Sequence, residues 1–205
     1  KKSLSKIVGI GPFLSAQLFD KNNIKKATQE MAYIQQNNTQ FFYYKNPDYP
    51  THLKHCADGP ILLFKEGNIN LNNKRIISIV GTRKMTRYGQ EFCTALINAL
   101  SPYNPIIVSG FAYGIDICAH KAAMNHNLQT IAVLAHGLDE LYPKTHKKYV
   151  HKVLENGGFL SDFWHDDTPI REHFLKRNRI VAGISQATLV IESALKGGSL
   201  VTADI

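Results

Sequence analysis

Ile76-Ile77-Ser78-Ile79-Val80-Gly81-Thr82-Arg83 decides the fold. A short, almost unbroken apolar run that ends in glycine, a hydroxyl residue and a cation reads as a buried strand feeding a tight loop. Four runs repeat the theme downstream: Pro105-Ile106-Ile107-Val108, Thr130-Ile131-Ala132-Val133-Leu134, the weaker Phe159-Leu160-Ser161, and Thr188-Leu189-Val190-Ile191. Helical stretches separate them, over about residues 87–100, 116–124, 145–156 and 171–184. Strands apolar on both faces, alternating with helices, predict a doubly wound α/β domain with a mostly parallel sheet.

Upstream the pattern differs. Residues 1–26 read as helix, tight turn, helix, the turn being Val8-Gly9-Ile10-Gly11-Pro12 with Pro12 in the first turn of the second helix. A further helix is expected over residues 25–37, ended by Asn37-Asn38. Phe41-Phe42-Tyr43-Tyr44 and Pro60-Ile61-Leu62-Leu63-Phe64 are strand candidates, taken as a bridge into the main domain. The division expected is a small helical segment, 1–40, and an α/β domain, 41–205.

Composition sets bounds. With 44% hydrophobic and 20% charged residues the chain is ordinary globular protein. It has no apolar run long enough for a membrane span, and its basic start is followed by no leader-like apolar stretch. Cys56, Cys93 and Cys118 form no metal-ligand spacing; Cys93 and Cys118, in apolar helical stretches, are expected as core thiols, and a reducing cytoplasm is expected. The formal charge of +8 suits a polyanionic partner, or is simply a basic surface.

In an open α/β sheet, ligands bind beyond the carboxyl ends of the strands. Those ends carry Gly81-Thr82-Arg83, Ser109-Gly110-Phe111-Ala112-Tyr113-Gly114, Ala135-His136-Gly137, and Glu192 through Lys196-Gly197-Gly198-Ser199. Glycine lets backbone amides approach a phosphate, and a following helix adds its positive end. Tight strand-to-helix turns would need the same glycines. Four such loops, with Arg83 and Lys196 beside two of them, favour phosphate binding. No loop is a dinucleotide fingerprint or a Walker A sequence.

The stretch from Arg171 to Arg179 carries four cations against Glu172. It reads either as a solvated helix face or as a phosphate-tracking strip with Phe174 free to stack on a base. Catalytic signals are weak. Asp116 reads as an acid complementing a helix N-terminus, and His120 as a surface or partly buried histidine. Glu192 is the best acid candidate but lacks a partner base. Ser109 and Ser193 lie in no nucleophile elbow. No metal site and no cofactor is expected.

Ser78 through Arg83, Val108 through Asp116, Leu134-Ala135-His136-Gly137-Leu138-Asp139, Tyr142-Pro143, Phe174 through Gly183 and Gly197 through Ala203 together closely resemble the DNA-processing protein A family (DprA, also called Smf). The resemblance runs from about Phe41 to the end. It implies an extended Rossmann-like fold that binds single-stranded DNA without sequence preference, shields strands during natural transformation and helps load the RecA recombinase, with no catalysis. It also implies Arg83 and Lys196 as the main phosphate cations, with Arg171, Phe174 and Asn178 lining the DNA pocket. The DNA-binding set expected is Gly81, Thr82, Arg83, Ser109, Gly110, Gly114, Arg171, Phe174, Arg177, Asn178, Lys196, Gly197 and Gly198. Lys176 stands where the family pattern has proline. Family members continue past Ile205, so the resemblance implies a C-terminally truncated domain, with the homodimer surface lying further on. The Ile7–Pro12 turn resembles a helix-hairpin-helix module.

Two other readings stay open. One is an enzyme releasing a base from nucleoside monophosphates, with Gly197-Gly198 as its loop and Glu192 as its acid. The other is a sensor of a small phosphate ligand.

Overall fold

The computed structural model describes residues 3–71, 75–195 and 197–205. The chain divides into two units, Lys1–Thr39 and Gln40–Ile205. In the first, Pro12 opens the short helix α1 (Pro12–Gln17), and Gly9 takes a left-handed turn conformation (φ +90°) just before it. The next helix, α2 (Lys21–Asn37), is unbroken. The boundary expected near residue 25 is absent. Asp20 starts the helix earlier by accepting the Asn22 N–H (2.8 Å), and left-handed Asn38 ends it.

The second unit is built on a seven-stranded sheet of β1 (Gln40–Tyr43), β2 (Leu62–Gly67), β3 (Ile76–Gly81), β4 (Ile106–Ser109), β5 (Thr130–Val133), β6 (Gly157–Ser161) and β7 (Ala187–Ile191). The order among the described residues is β1-β2-β6-β5-β4-β3-β7. The five strands read from the sequence are the parallel ones. The two expected as a bridge are instead integral to the sheet. β2 pairs antiparallel with β6, and β1 with β2. Phe42, Leu63 and Phe64 are buried there, which is why this stretch cannot be a mere connector.

Side-chain alternation assigns the faces. Along β3, Ile76 and Val80 join one core cluster with Ile180, Val181 and Ile184, while Ile79 joins another with Cys93, Ile97 and Ile115. The helices are α3 (Thr51–Lys54), α4 (Arg87–Leu100), α5 (Ile115–Asn125), α6 (Lys147–Glu155), α7 (Arg171–Gly183) and α8 (Gly198–Ala203). The second cluster puts α4 and α5 on one face, and the first puts α7 on the other. α8, after β7, packs against α7 and β3. The chain therefore leaves β3 and β7 towards opposite faces, which creates a crevice at their carboxyl ends. No helix among the described residues is long and apolar enough to cross a membrane.

His120, expected at a helix surface or partly buried, is fully enclosed. α5 is buried on nearly every side, so it offers that ring no solvent. Thr130 Oγ1 donates to Ile107 O (3.0 Å) and so accepts from His120 Nδ1 (2.7 Å). Nε2 is left buried without a hydrogen-bond partner. Burial above all, then the charges of His146 and Arg177, hold this histidine's pKa down to about 3. In the unfolded chain it takes a proton below about pH 6.5. Folding stability is therefore expected to fall as the pH drops from about 6.5 towards 3, at a limiting slope of about 1.4 kcal/mol per pH unit for this group. Urea melts at about pH 7 and about pH 5 should show a smaller loss for His120→Gln than for the parent. Equal losses would mean that this ring titrates freely in the fold.

Candidate functional site

A cavity of about 720 Å³ opens at the carboxyl ends of β3, β4 and β7, a size typical of ligand sites. Three loops and two helices wall it. The β3 loop brings Gly81, Thr82 and Arg83, and the β4 loop brings Gly110 and Ala112. The segment after β7 brings Ser193, Ala194 and Gly197. α7 contributes Arg171, Phe174 and Asn178, and α8 contributes Gly198, Ser199 and Thr202.

Two glycines have specific steric work. A Cβ on Gly110 would sit 2.4 Å from the Arg177 guanidinium nitrogens. Gly114 holds φ at +76°, and a Cβ there would lie 2.1 Å from Thr82 O. This lets the second loop tuck beneath the first, where Ile115 N–H donates to Thr82 O (3.1 Å). Gly114 thus shapes the cavity from behind without lining it. Ser109 also lies outside it, fully buried, with its hydroxyl donating to Ile79 O (2.6 Å).

The cations of α7 do not form one strip. Arg177, expected to face DNA, is only 5% exposed. Its Nη1 donates to Gly110 O (2.7 Å) and to Val133 O, and its Nε to Asn178 Oδ1 (3.3 Å). It is a buried pin that ties α7 to the ends of β4 and β5, although one edge of it reaches the cavity wall. Burial, partly offset by Asp116, brings its pKa down to about 10, so it stays charged at neutral pH. Arg179 bonds to Asp58 O (2.7 Å) and pairs with Asp162. Lys176 is exposed and does not line the cavity. Of the four cations only Arg171 is both exposed and turned to the cavity.

Arg83 is exposed, with its guanidinium carbon 5.0 Å above the Phe174 ring. Phe174 is half-buried, edge-on to Tyr142 at 5.6 Å. An aromatic ring flanked by arginine inside an open cavity can stack on a base while the cation meets its phosphate. Tyr142 as the support of Phe174 was not among the expected site residues. Neither were Ser199 and Thr202, small hydroxyl residues in the chain's last helix that a charge-led reading passes over.

Other expectations are corrected. Glu192 caps a helix. Its Oε2 accepts the Thr86 N–H (2.8 Å) beside the Thr86 hydroxyl that caps Gly89, at the start of α4, and it does not line the cavity. The positive end of α4 is therefore met by the protein's own carboxylate. Thr82 N–H and Gly197 N–H, counted as phosphate donors, are engaged by Glu192 O (2.7 Å) and Ala194 O (2.8 Å). The Ala135-His136-Gly137 loop is absent from the wall, because Gly137 N–H bonds to Asp167 O (2.8 Å) and His136 is buried. Lys196 lies outside the described residues.

The cavity wall holds Arg83, Arg171 and Arg177 against one acid, Asp116, among the described residues. Asp116 accepts the Ala112 N–H (3.3 Å). Burial raises its carboxyl above the usual aspartate range, although Arg177 pulls the other way. Electrostatically the cavity favours an anion.

Residues 40–205 match the family described as DNA recombination-mediator protein A. The chain is 37% identical over 180 residues to Protein Smf of Escherichia coli, across 87% of this chain and 48% of that protein. It is 36% identical over 156 residues to DNA processing protein DprA of Streptococcus pneumoniae, across 76% and 55% respectively. It spans about half the length of the curated relatives it matches. The solved structure of DNA processing protein A from S. pneumoniae superposes with a TM-score of 0.79 at 34% identity, over 84% of this chain and 62% of that one. That of DNA processing protein A from Helicobacter pylori, a study of its single-stranded DNA binding mode, gives 0.73 at 30% identity, over 81% and 74%.

Proposed function

Because the chain belongs to the DNA recombination-mediator protein A family, as its sequence resemblance implied, we propose that residues 40–205 bind single-stranded DNA in the 720 Å³ cavity without reading its sequence. One observation carries the reading. An exposed arginine lies over a half-buried phenylalanine in an arginine-rich cavity at the sheet's switch point. Arg83 and Arg171 meet phosphates, Phe174 stacks on a base, and Arg177 and Gly110 hold the wall in shape. None of these roles uses a base-edge contact, so the pairing edges of the bases stay free. The protein acts as a carrier of strands in transformation and recombination, with no covalent chemistry. Loading of the RecA recombinase, which the family resemblance implies, belongs to the same proposal.

Fluorescence anisotropy with labelled oligo-dT tests this. Single strands should bind more tightly than duplex of equal length, and nucleoside monophosphates should compete poorly, since each added phosphate and stacked base contributes. The logarithm of the affinity should fall with the logarithm of salt at about −0.7 per phosphate neutralised. Equal binding of duplex, or full displacement by a mononucleotide, would refute the reading.

A further inference from the structure

A second, smaller cavity of about 230 Å³ lies on the far side of the β3–α4 loop from the first. Arg83 lines one cavity and Met85 the other. Asp116 lines one, and Ile117 and Cys118 the other. One loop and the first turn of α5 thus separate them. The smaller cavity is cationic. Lys121 and Lys148, both exposed, place their ammonium groups 5.8 and 5.2 Å from the Tyr149 ring, and no carboxylate lines it among the described residues. Its volume is below the roughly 300 Å³ at which pockets for whole small molecules begin, so it suits a single phosphodiester group. Tyr113, 42% exposed, joins the two places. It follows Ala112 of the first wall. Its hydroxyl accepts from Thr145 Oγ1 (3.3 Å), and its ring meets that of His146 at 5.1 Å, both residues lining the second cavity.

We propose that a strand seated in the main cavity continues past Tyr113 and sets a further phosphodiester between Lys121 and Lys148. This rests on the single-strand reading above and extends it by giving the bound strand a direction and an exit. Lysine suits that role, a point charge on a flexible stem that follows a backbone without fixing its register.

The test compares Lys121→Ala/Lys148→Ala with Lys54→Ala/Lys65→Ala, which removes the same charge from two lysines that also lie over aromatic rings, Tyr44 and Phe42. Each protein is titrated with oligo-dT of about 5 and about 15 nucleotides. The first variant should lose about fivefold in affinity for the longer strand, with a salt slope lower by about 0.7, and keep its affinity for the shorter one. The control should alter neither. If the two variants behave alike, or the longer strand binds the first variant as it binds the parent, the exit path is overturned. In that case, binding by the parent that is lost in Arg83→Ala leaves the single-strand reading standing. If the parent binds neither strand, both fall.

Discussion

Arg177→Met is expected to lower the unfolding free energy by about 3–5 kcal/mol. Methionine replaces much of the stem but none of the donors. Gly110 O and Val133 O, at the ends of two central strands, would lose the Nη1 bonds that satisfy them. Each buried acceptor left open costs about 1–3 kcal/mol. Asp116 would lose the cation that opposes its desolvation. Its carboxyl would then rise further, and the variant's deficit should shrink as the pH falls, because a protonated Asp116 no longer needs the guanidinium. Urea denaturation followed by circular dichroism gives the number. A loss below about 1 kcal/mol would mean that Arg177 is not the pin of this wall.

Arg83→Ala should behave in the opposite way, weakening oligo-dT binding about 10- to 100-fold while leaving the melting temperature where it was. The side chain is exposed and its guanidinium rests on Phe174, so little of the fold depends on it. A hydrogen bond to a charged group is worth about 1.5–3 kcal/mol, which corresponds to that range of affinity. Arg83→Lys should recover only part of the loss, since an ammonium neither grips a phosphate through two donors nor lies flat on an aromatic face. Anisotropy titrations of the three proteins at one salt concentration decide it. Undiminished binding by the alanine variant would remove Arg83 from the site.

The pair of variants also separates what a sequence makes legible from what it does not. The parallel core was readable because strands such as Ile106–Ser109 are buried on both faces and announce themselves as apolar runs. β1 and β2 were found as strands but not as part of the sheet, because antiparallel pairing across nearly 100 residues leaves no local trace. On α7, charge misled. Arg177 lies at i−3, i−4 and i−7 from Ile180, Val181 and Ile184, the buried stripe of that helix. Helical position, not residue type, decides its burial, and the spacing was there to be read. The capping of α4 by Glu192 had no such signal. It joins residues 106 apart and depends on where the β7 end falls beside Thr86. The expected cavity residues from the β3 loop, α7 and Gly197-Gly198 do converge, because their loops sit at the switch point that the strand order creates.

Photocrosslinking with an oligo-dT carrying 5-iododeoxyuridine, followed by mass-spectrometric mapping of the attached peptide, locates the strand most directly. Attachment at Phe174 or Tyr142 is the expected result, since those rings wall or support the arginine-rich cavity. Attachment confined to Tyr88 or Tyr103, exposed rings that do not line it, would contradict the account.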